Sequence, residues 1–317
     1  MSAYHNKSYP STIQGFTLIE LMISLVLGLL ISAAVIQVYI ISTRTLTVQQ
    51  SASEVQDSTV FALQAIDDHV RIANLGNPIT NITDASAHGG VVLTGNNIGN
   101  SSYANTGYLT VSAGQTGTAG TNGWTGVSNT GTASDQLTIQ YKNITPNDLY
   151  DCEGGKVDAG IDQWVIERYF VRLATNATAK TGVQDLVLAC DAGRVDSANV
   201  VSGFGDNGEV IVSAIDQFQV LLGTLTDISQ LTYLPAKTYL ELTDKPAITT
   251  VKLGVIVRSN TPLITDADKS QFTVLGNTQT LKTDSERKKY YRRSYESTVL
   301  LRNARVMSVT GLPSSVQ

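Results

Sequence analysis

Within residues 16–43, FTLIELMISLVLGLLISAAVIQVYIIST, one side chain carries a charge, the carboxylate of Glu20. An acid at the middle of a membrane-spanning helix costs about 2.5 to 3.5 kcal/mol unless it is paired. The run supplies no cation to pair with it. Elsewhere the candidates for chemistry are few. The histidines are His5, His69 and His88, so no His-based triad or metal triplet is in view. The acidic loops at 148–151 and 266–268 lack the ligand ladder and closing Glu of a calcium loop. No phosphate-cradling or dinucleotide fingerprint occurs, and no catalytic residue, cofactor or metal is expected. Cys152 and Cys190 are the two cysteines. They have no zinc-like spacing, and with export expected from the N-terminus they read as a disulfide, the alternative being two reduced core thiols.

One basic cluster remains, ERKKYYRRSY at 286–295. It interleaves aromatics, as single-stranded nucleic-acid grooves do, so Lys288, Lys289, Arg292 and Arg293 are the candidates for DNA contact. A charge-guarded exposed strand accounts for the same pattern and is the reading preferred, with nucleic acid not expected among the partners. The formal net charge of −5 gives no general attraction to polyanions.

These residues need elements to hold them. Residues 21–41 carry no charge and reach roughly 30 Å as a helix, the thickness of a hydrocarbon core. A polar leader with His5 and Lys7 precedes them, and Lys7 favours a cytoplasmic leader. An ordinary secretory signal would be cut near Ser32 to Ala34. The helical pattern continues past that point. Val48, Ala52, Val55, Thr59, Ala62, Ile66, Val70 and Ala73 recur at steps of three and four. A single helix of about 60 residues is expected, ending at Gly76, Asn77 and Pro78.

From Ala85 to Ser134 there is no Asp, Glu, Lys or Arg, and glycines recur. This stretch reads as a β- or loop-rich surface insertion with short hairpins anchored by Tyr103, Tyr108, Leu109, Val111 and Trp124. An adhesive or partner-contacting face is the alternative. After Asp135 the period becomes two, as in WVIERYFVRL, ITTVKLGVIVRS and YYRRSYESTVLL. The fold class expected is therefore α+β, a long helix whose apolar stripe packs on an antiparallel sheet domain.

At this point GFTLIELM resembles the class III leader of type IV pilins and pseudopilins. The resemblance implies that a prepilin peptidase cuts after Gly15 and N-methylates Phe16, and that Glu20 is the acid used in assembly. The cut supplies the missing cation, because it creates an α-ammonium with an ordinary pKa of about 7.7 to 8. That amine can meet Glu20 of its own chain or of a neighbour, where it would set an axial register.

Later segments, RYFVR, VSAIDQFQVLLG, VIVRS and the terminal YYRRSYESTVLLRN, together with the two cysteines, are similar to PilW-type minor pilins. The implied organisation is a leader over 1–15, a helix over 16–76 with 16–41 transmembrane, a Gly/Asn/Thr-rich region over 77–134 and a pilin domain over 135–317. The implied role is type IV pilus assembly in a priming or tip complex, supporting adhesion and twitching motility. Implied partners are other minor pilins, the major pilin, the prepilin peptidase, the inner-membrane assembly platform and a tip adhesin. The protein would sit in the bacterial inner membrane and then in the pilus. A type II secretion pseudopilin and a DNA-uptake minor pilin are the alternatives.

Overall fold

The computed structural model describes residues 15–117, 122–175, 177, 182–227, 230–263, 269–283 and 289–304. One helix, α1 (Leu18–Ile72), runs through the boundary between two compact units, Met1–Gln49 and Gln50–Gln317. In the first unit its apolar side chains from Leu18 to Ile41 are exposed, and the helix is long and apolar enough to cross a membrane. In the second unit Val55, Thr59, Ala62, Ile66 and Val70 are buried, the stripe read from the sequence, together with Ser51 and Leu63. The helix stops four residues short of Gly76. Asn74 takes a left-handed φ of 67° just past its end, the usual stop for a helix C-terminus, and donates its N–H to Gln140 O at 2.9 Å.

After α1 come a one-turn helix α2 (Gly95–Ile98) and a 3-10 turn (Thr106–Tyr108). The strands begin with β1 (Leu137–Lys142), β2 (Leu149–Tyr150), β3 (Lys156–Val157), β4 (Trp164–Leu173) and β5 (Leu186–Val195). They continue with β6 (Val201–Ser202), β7 (Glu209–Val212), β8 (Ile215–Asp227) and β9 (Gln230–Leu234). The short helix α3 (Ala236–Glu241) leads into β10 (Ile248–Leu263), β11 (Gln271–Val274), β12 (Asn277–Thr280) and β13 (Lys289–Leu300). Among the described residues one sheet has the order β1-β4-β5-β6, with β7 also on β5, and a second has the order β13-β10-β8-β9. Small hairpins pair β2 with β3 and β11 with β12, and every named pairing is antiparallel.

The alternation in β4 sorts its side chains between two buried faces. Tyr169 and Val171 join the main core with Val55, Ile66 and Val70 of α1. Ile166 faces the other way, into a second core with Val92, Ile98, Leu109 and Val195. This second core corrects the expectation for the uncharged stretch. Among its described residues, 85–134 is loop-rich, as one of the two readings had it, but without named strands or hairpins of its own, and part of it is core. It covers the outer face of the first sheet, and Val92 N–H donates to Thr138 O at 2.9 Å along the edge of β1. That edge would otherwise offer unpaired backbone groups. Side-chain amides take the place of strand ladders in satisfying this irregular backbone. Asn97 accepts from the N–H groups of Leu93 and Thr94 and donates to Thr83 O and Ser86 O. Gln136 donates to Gly107 O and Leu109 O. Gly90 is required where the stretch crosses the helix end, because a Cβ there would lie 2.4 Å from Asn74 N.

Candidate functional site

Thr17 is the residue before α1 and Glu20 lies at its third position. Glu20 N–H donates to Thr17 Oγ1 at 3.3 Å, while Thr17 N–H and Oγ1 both donate to Glu20 Oε2 at 3.4 Å. This reciprocal pattern is a capping box, with the acid placed at the positive end of the helix dipole. Both donors converge on Oε2, and no Lys, Arg or His occurs between Gly15 and Arg44. Gly15 and Phe16 precede the helix in irregular backbone, with Phe16 87% exposed. The sequence reading placed Glu20 and Phe16 but passed over Thr17. The T-x-x-E spacing was the signal for it.

The globular unit contains a second carboxylate with the opposite environment. Glu167 on β4 is fully buried and accepts four hydrogen bonds. They come from His69 Nδ1 of α1 at 3.1 Å, Tyr141 OH of β1 at 2.9 Å, Cys152 N–H at 3.2 Å and Tyr169 OH at 2.9 Å. Burial pulls the His69 pKa down, but the hydrogen bond and charge of Glu167 outweigh it and leave the imidazole raised above its ordinary 6.5. Burial first, and then the Glu167 charge, push both tyrosines far above their usual range. The group locks helix, sheet and the Cys152 loop together. Two further contacts hold α1 in this unit: Ser297 Oγ donates to Asp67 Oδ2, and Asn260 Nδ2 donates to Glu54 Oε1, both at 2.5 Å.

Cys152 and Cys190 form a disulfide, as expected, with Cα atoms 6.2 Å apart. Beside it Arg168 and Asp191 are both fully buried, with Nε donating to Oδ2 at 2.5 Å. The guanidinium also donates to Asn122 O and Asp206 O and lies over the rings of Tyr108 and Phe170. Burial, aided by the neighbouring acids Asp191, Asp206 and Asp151, pushes Glu153 up to about 7. Burial likewise pushes Asp135 up to about 7, against the N–H groups of Val220 and Ala113 that it accepts.

Of the four residues considered for DNA contact the structure describes Lys289, Arg292 and Arg293. Arg292 has a side chain only 2% exposed, and its Nε donates to Asp216 Oδ2 at 2.7 Å. Lys289 is half-buried and engaged, Arg293 is exposed beside the Tyr295 ring, and Lys288 lies outside the described residues. Strand β13 is nevertheless an edge of its sheet.

A family model described as "Type IV Pilus-assembly protein W" matches residues 168–303, and another described as "Prokaryotic N-terminal methylation motif" matches residues 11–36. No curated protein matches the chain. Among solved structures the chain is similar to "Type IV-like pilin TTHA1219 from Thermus thermophilus", at 10% identity and a TM-score of 0.40, over 79% of this chain and 97% of that one.

Proposed function

We propose that the chain is a PilW-type minor pilin of the type IV pilus, as its matches over 168–303 and 11–36 support, and that it is cut after Gly15, methylated on Phe16, and added to a pilus through its N-terminal helix. Its family and fold are those of a structural pilin. Residues 16–41 hold it in the inner membrane until assembly, with the β-sheet unit in the periplasm. The single observation that carries this reading is the environment of Glu20. Among the described residues its Oε2 is engaged by Thr17, and no Lys, Arg or His occurs between Gly15 and Arg44, which leaves Oε1 for an ammonium group. Cleavage makes that ammonium, on this chain and on any neighbour with the same leader. An amine from an incoming subunit seated on Oε1 would neutralise the acid and fix the axial step between helices. The exposed apolar side chains of the first unit would bury against the helices of other minor pilins and the major pilin.

The β-sheet unit then supplies lateral specificity, and we assign the protein to a priming or tip complex that supports adhesion and twitching motility. The prepilin peptidase, the assembly platform and a tip adhesin are its further partners. Intact-mass measurement tests the processing step: the reading requires a mature chain beginning at N-methylated Phe16. Glu20→Ala tests assembly, and should leave the protein in the membrane fraction while reducing surface pili. Normal piliation in that variant would sink the proposal.

A further inference from the structure

We propose that Glu153, Asp191 and Asp206 form a binding site for one calcium ion, assembled by the Cys152–Cys190 disulfide. One carboxylate oxygen from each acid lies within 4.8 Å of the others. The three are remote in sequence, and the covalent bridge between Cys152 and Cys190 sets residues 153 and 191 side by side. Asp206 arrives in the turn that precedes β7, where Glu209 pairs with Cys190. Gly208 permits the turn to close: its φ is +60°, and a Cβ there would fall 2.2 Å from Cys190 O.

An independent observation points to a ligand. Asp191 is 0% exposed, its Oδ2 accepts from Arg168 Nε and Gly205 N–H, and its Oδ1 is buried with no hydrogen-bond partner. A buried carboxylate oxygen without a donor is an unfavourable state that native structures seldom leave uncompensated. Arg168 meets this carboxylate through Nε at Oδ2, and none of its N–H groups is bonded to Oδ1. Glu153 and Asp206 also line an open cleft of about 300 Å³ with Glu209, which gives an ion access and leaves room for waters.

The donor set selects the ion. Three carboxylates and no thiolate or imidazole suit a hard cation. Calcium takes six to eight oxygens at about 2.3 to 2.6 Å in a flexible sphere, and three carboxylate oxygens all within 4.8 Å of one another can share one such sphere with waters. Magnesium, at about 2.0 to 2.1 Å, demands a strict octahedron and keeps most of its water. The inference rests on this cluster and is independent of the assembly reading.

The test is calorimetric titration of chelator-treated full-length protein in detergent micelles with calcium chloride, alongside thermal unfolding. We expect one saturable site per chain with a Kd of about 10⁻⁴ to 10⁻³ M, the range of extracellular calcium modules. The unfolding temperature should rise with calcium and not with magnesium at the same concentration. Asp206→Asn and Glu153→Gln should each weaken binding by about tenfold or more, since ligand charge sets affinity. Without calcium both should unfold at or above the wild-type temperature, because each removes an acid from a crowded group. Asp191 is left intact because it holds Arg168. No saturable binding up to about 10 mM calcium, an equal effect of magnesium, or wild-type affinity in both variants would overturn the assignment.

Discussion

Replacing Glu167 by Gln should destabilise the globular unit by about 3 kcal/mol, and should do so in a pH-dependent way. The wild-type carboxylate accepts from His69, Tyr141, Cys152 and Tyr169. Hydrogen bonds to a charged acceptor contribute about 1.5 to 3 kcal/mol each and neutral ones about 0.5 to 1.5, so each surviving bond loses roughly 1 kcal/mol. One position becomes an NH₂ facing a phenol, whose O–H can turn to accept. The sum is about 3 kcal/mol, or roughly 6 to 12 °C in unfolding temperature for a unit of this size.

The pH sign follows from His69, whose folded pKa is raised. Its contribution is fully present below the unfolded value near 6.5 and is lost as pH rises through the folded value. Asp135 and Glu153 are held up to about 7 and also lose stability as pH rises from their ordinary values towards 7. The quantity to compare is therefore the gap between wild type and variant. Unfolding of the full chain in detergent micelles, followed by near-UV circular dichroism from pH 5 to 9, reads it. The gap should be widest at the acid end and shrink above pH 6.5. A gap under about 1 kcal/mol, or one that stays constant across the range, would refute the account of this network.

The disulfide closes a loop between residues 38 apart, so Cys152→Ser with Cys190→Ser should lower stability by about 4 kcal/mol on the chain-entropy estimate. Denaturant titration of the reduced and oxidised wild type gives the same comparison without substitution. Arg292 and Arg293 are neighbours with opposite surroundings. Arg292→Ala should cost about 3 to 5 kcal/mol, because Asp216 is left buried without that partner. Arg293→Ala, exposed, should stay within about 0.5 kcal/mol of wild type in the same unfolding assay.

Much of this was legible in the sequence where a local pattern carried the information. The stripe from Val55 to Ala73 is buried as its spacing requires, and the alternation of β4 gives its two faces. What was illegible depended on partners far away in the chain. The stretch 85–134 looks like a loop because uncharged Gly and Asn usually mark solvent. Here part of the stretch, Val92, Ile98 and Leu109 among it, is core, and buried amides such as Asn97 within it and Gln136 just after it bond to its backbone. Arg292 could be assigned to one side of a strand, but the buried Asp216 that claims it lies 76 residues earlier. Glu153, Asp191 and Asp206 fit no contiguous loop motif, since a disulfide and a turn bring them together. Asn74 ended the helix early through a left-handed residue that periodicity does not register.

The capping box also changes how Glu20 must be tested, because Glu20→Ala removes two things together. It deletes a charge, and it deletes the N3 acceptor that Thr17 N–H and Oγ1 use. Glu20→Gln separates them. Gln at this position completes a capping box as Glu does, so the start of α1 should be preserved, while the attraction for an ammonium group is lost. Thr17→Val is the reciprocal change, weakening the cap by about 1 kcal/mol and leaving the carboxylate. If charge pairing with a Phe16 amine drives assembly, surface pili should fall in Glu20→Gln nearly as far as in Glu20→Ala, and Thr17→Val should assemble close to normally. Membrane-fraction levels and mature mass should be unchanged in all three. The reverse order, with Glu20→Gln piliated and Thr17→Val not, would mean that the acid serves the helix end and that no intersubunit charge pair is needed.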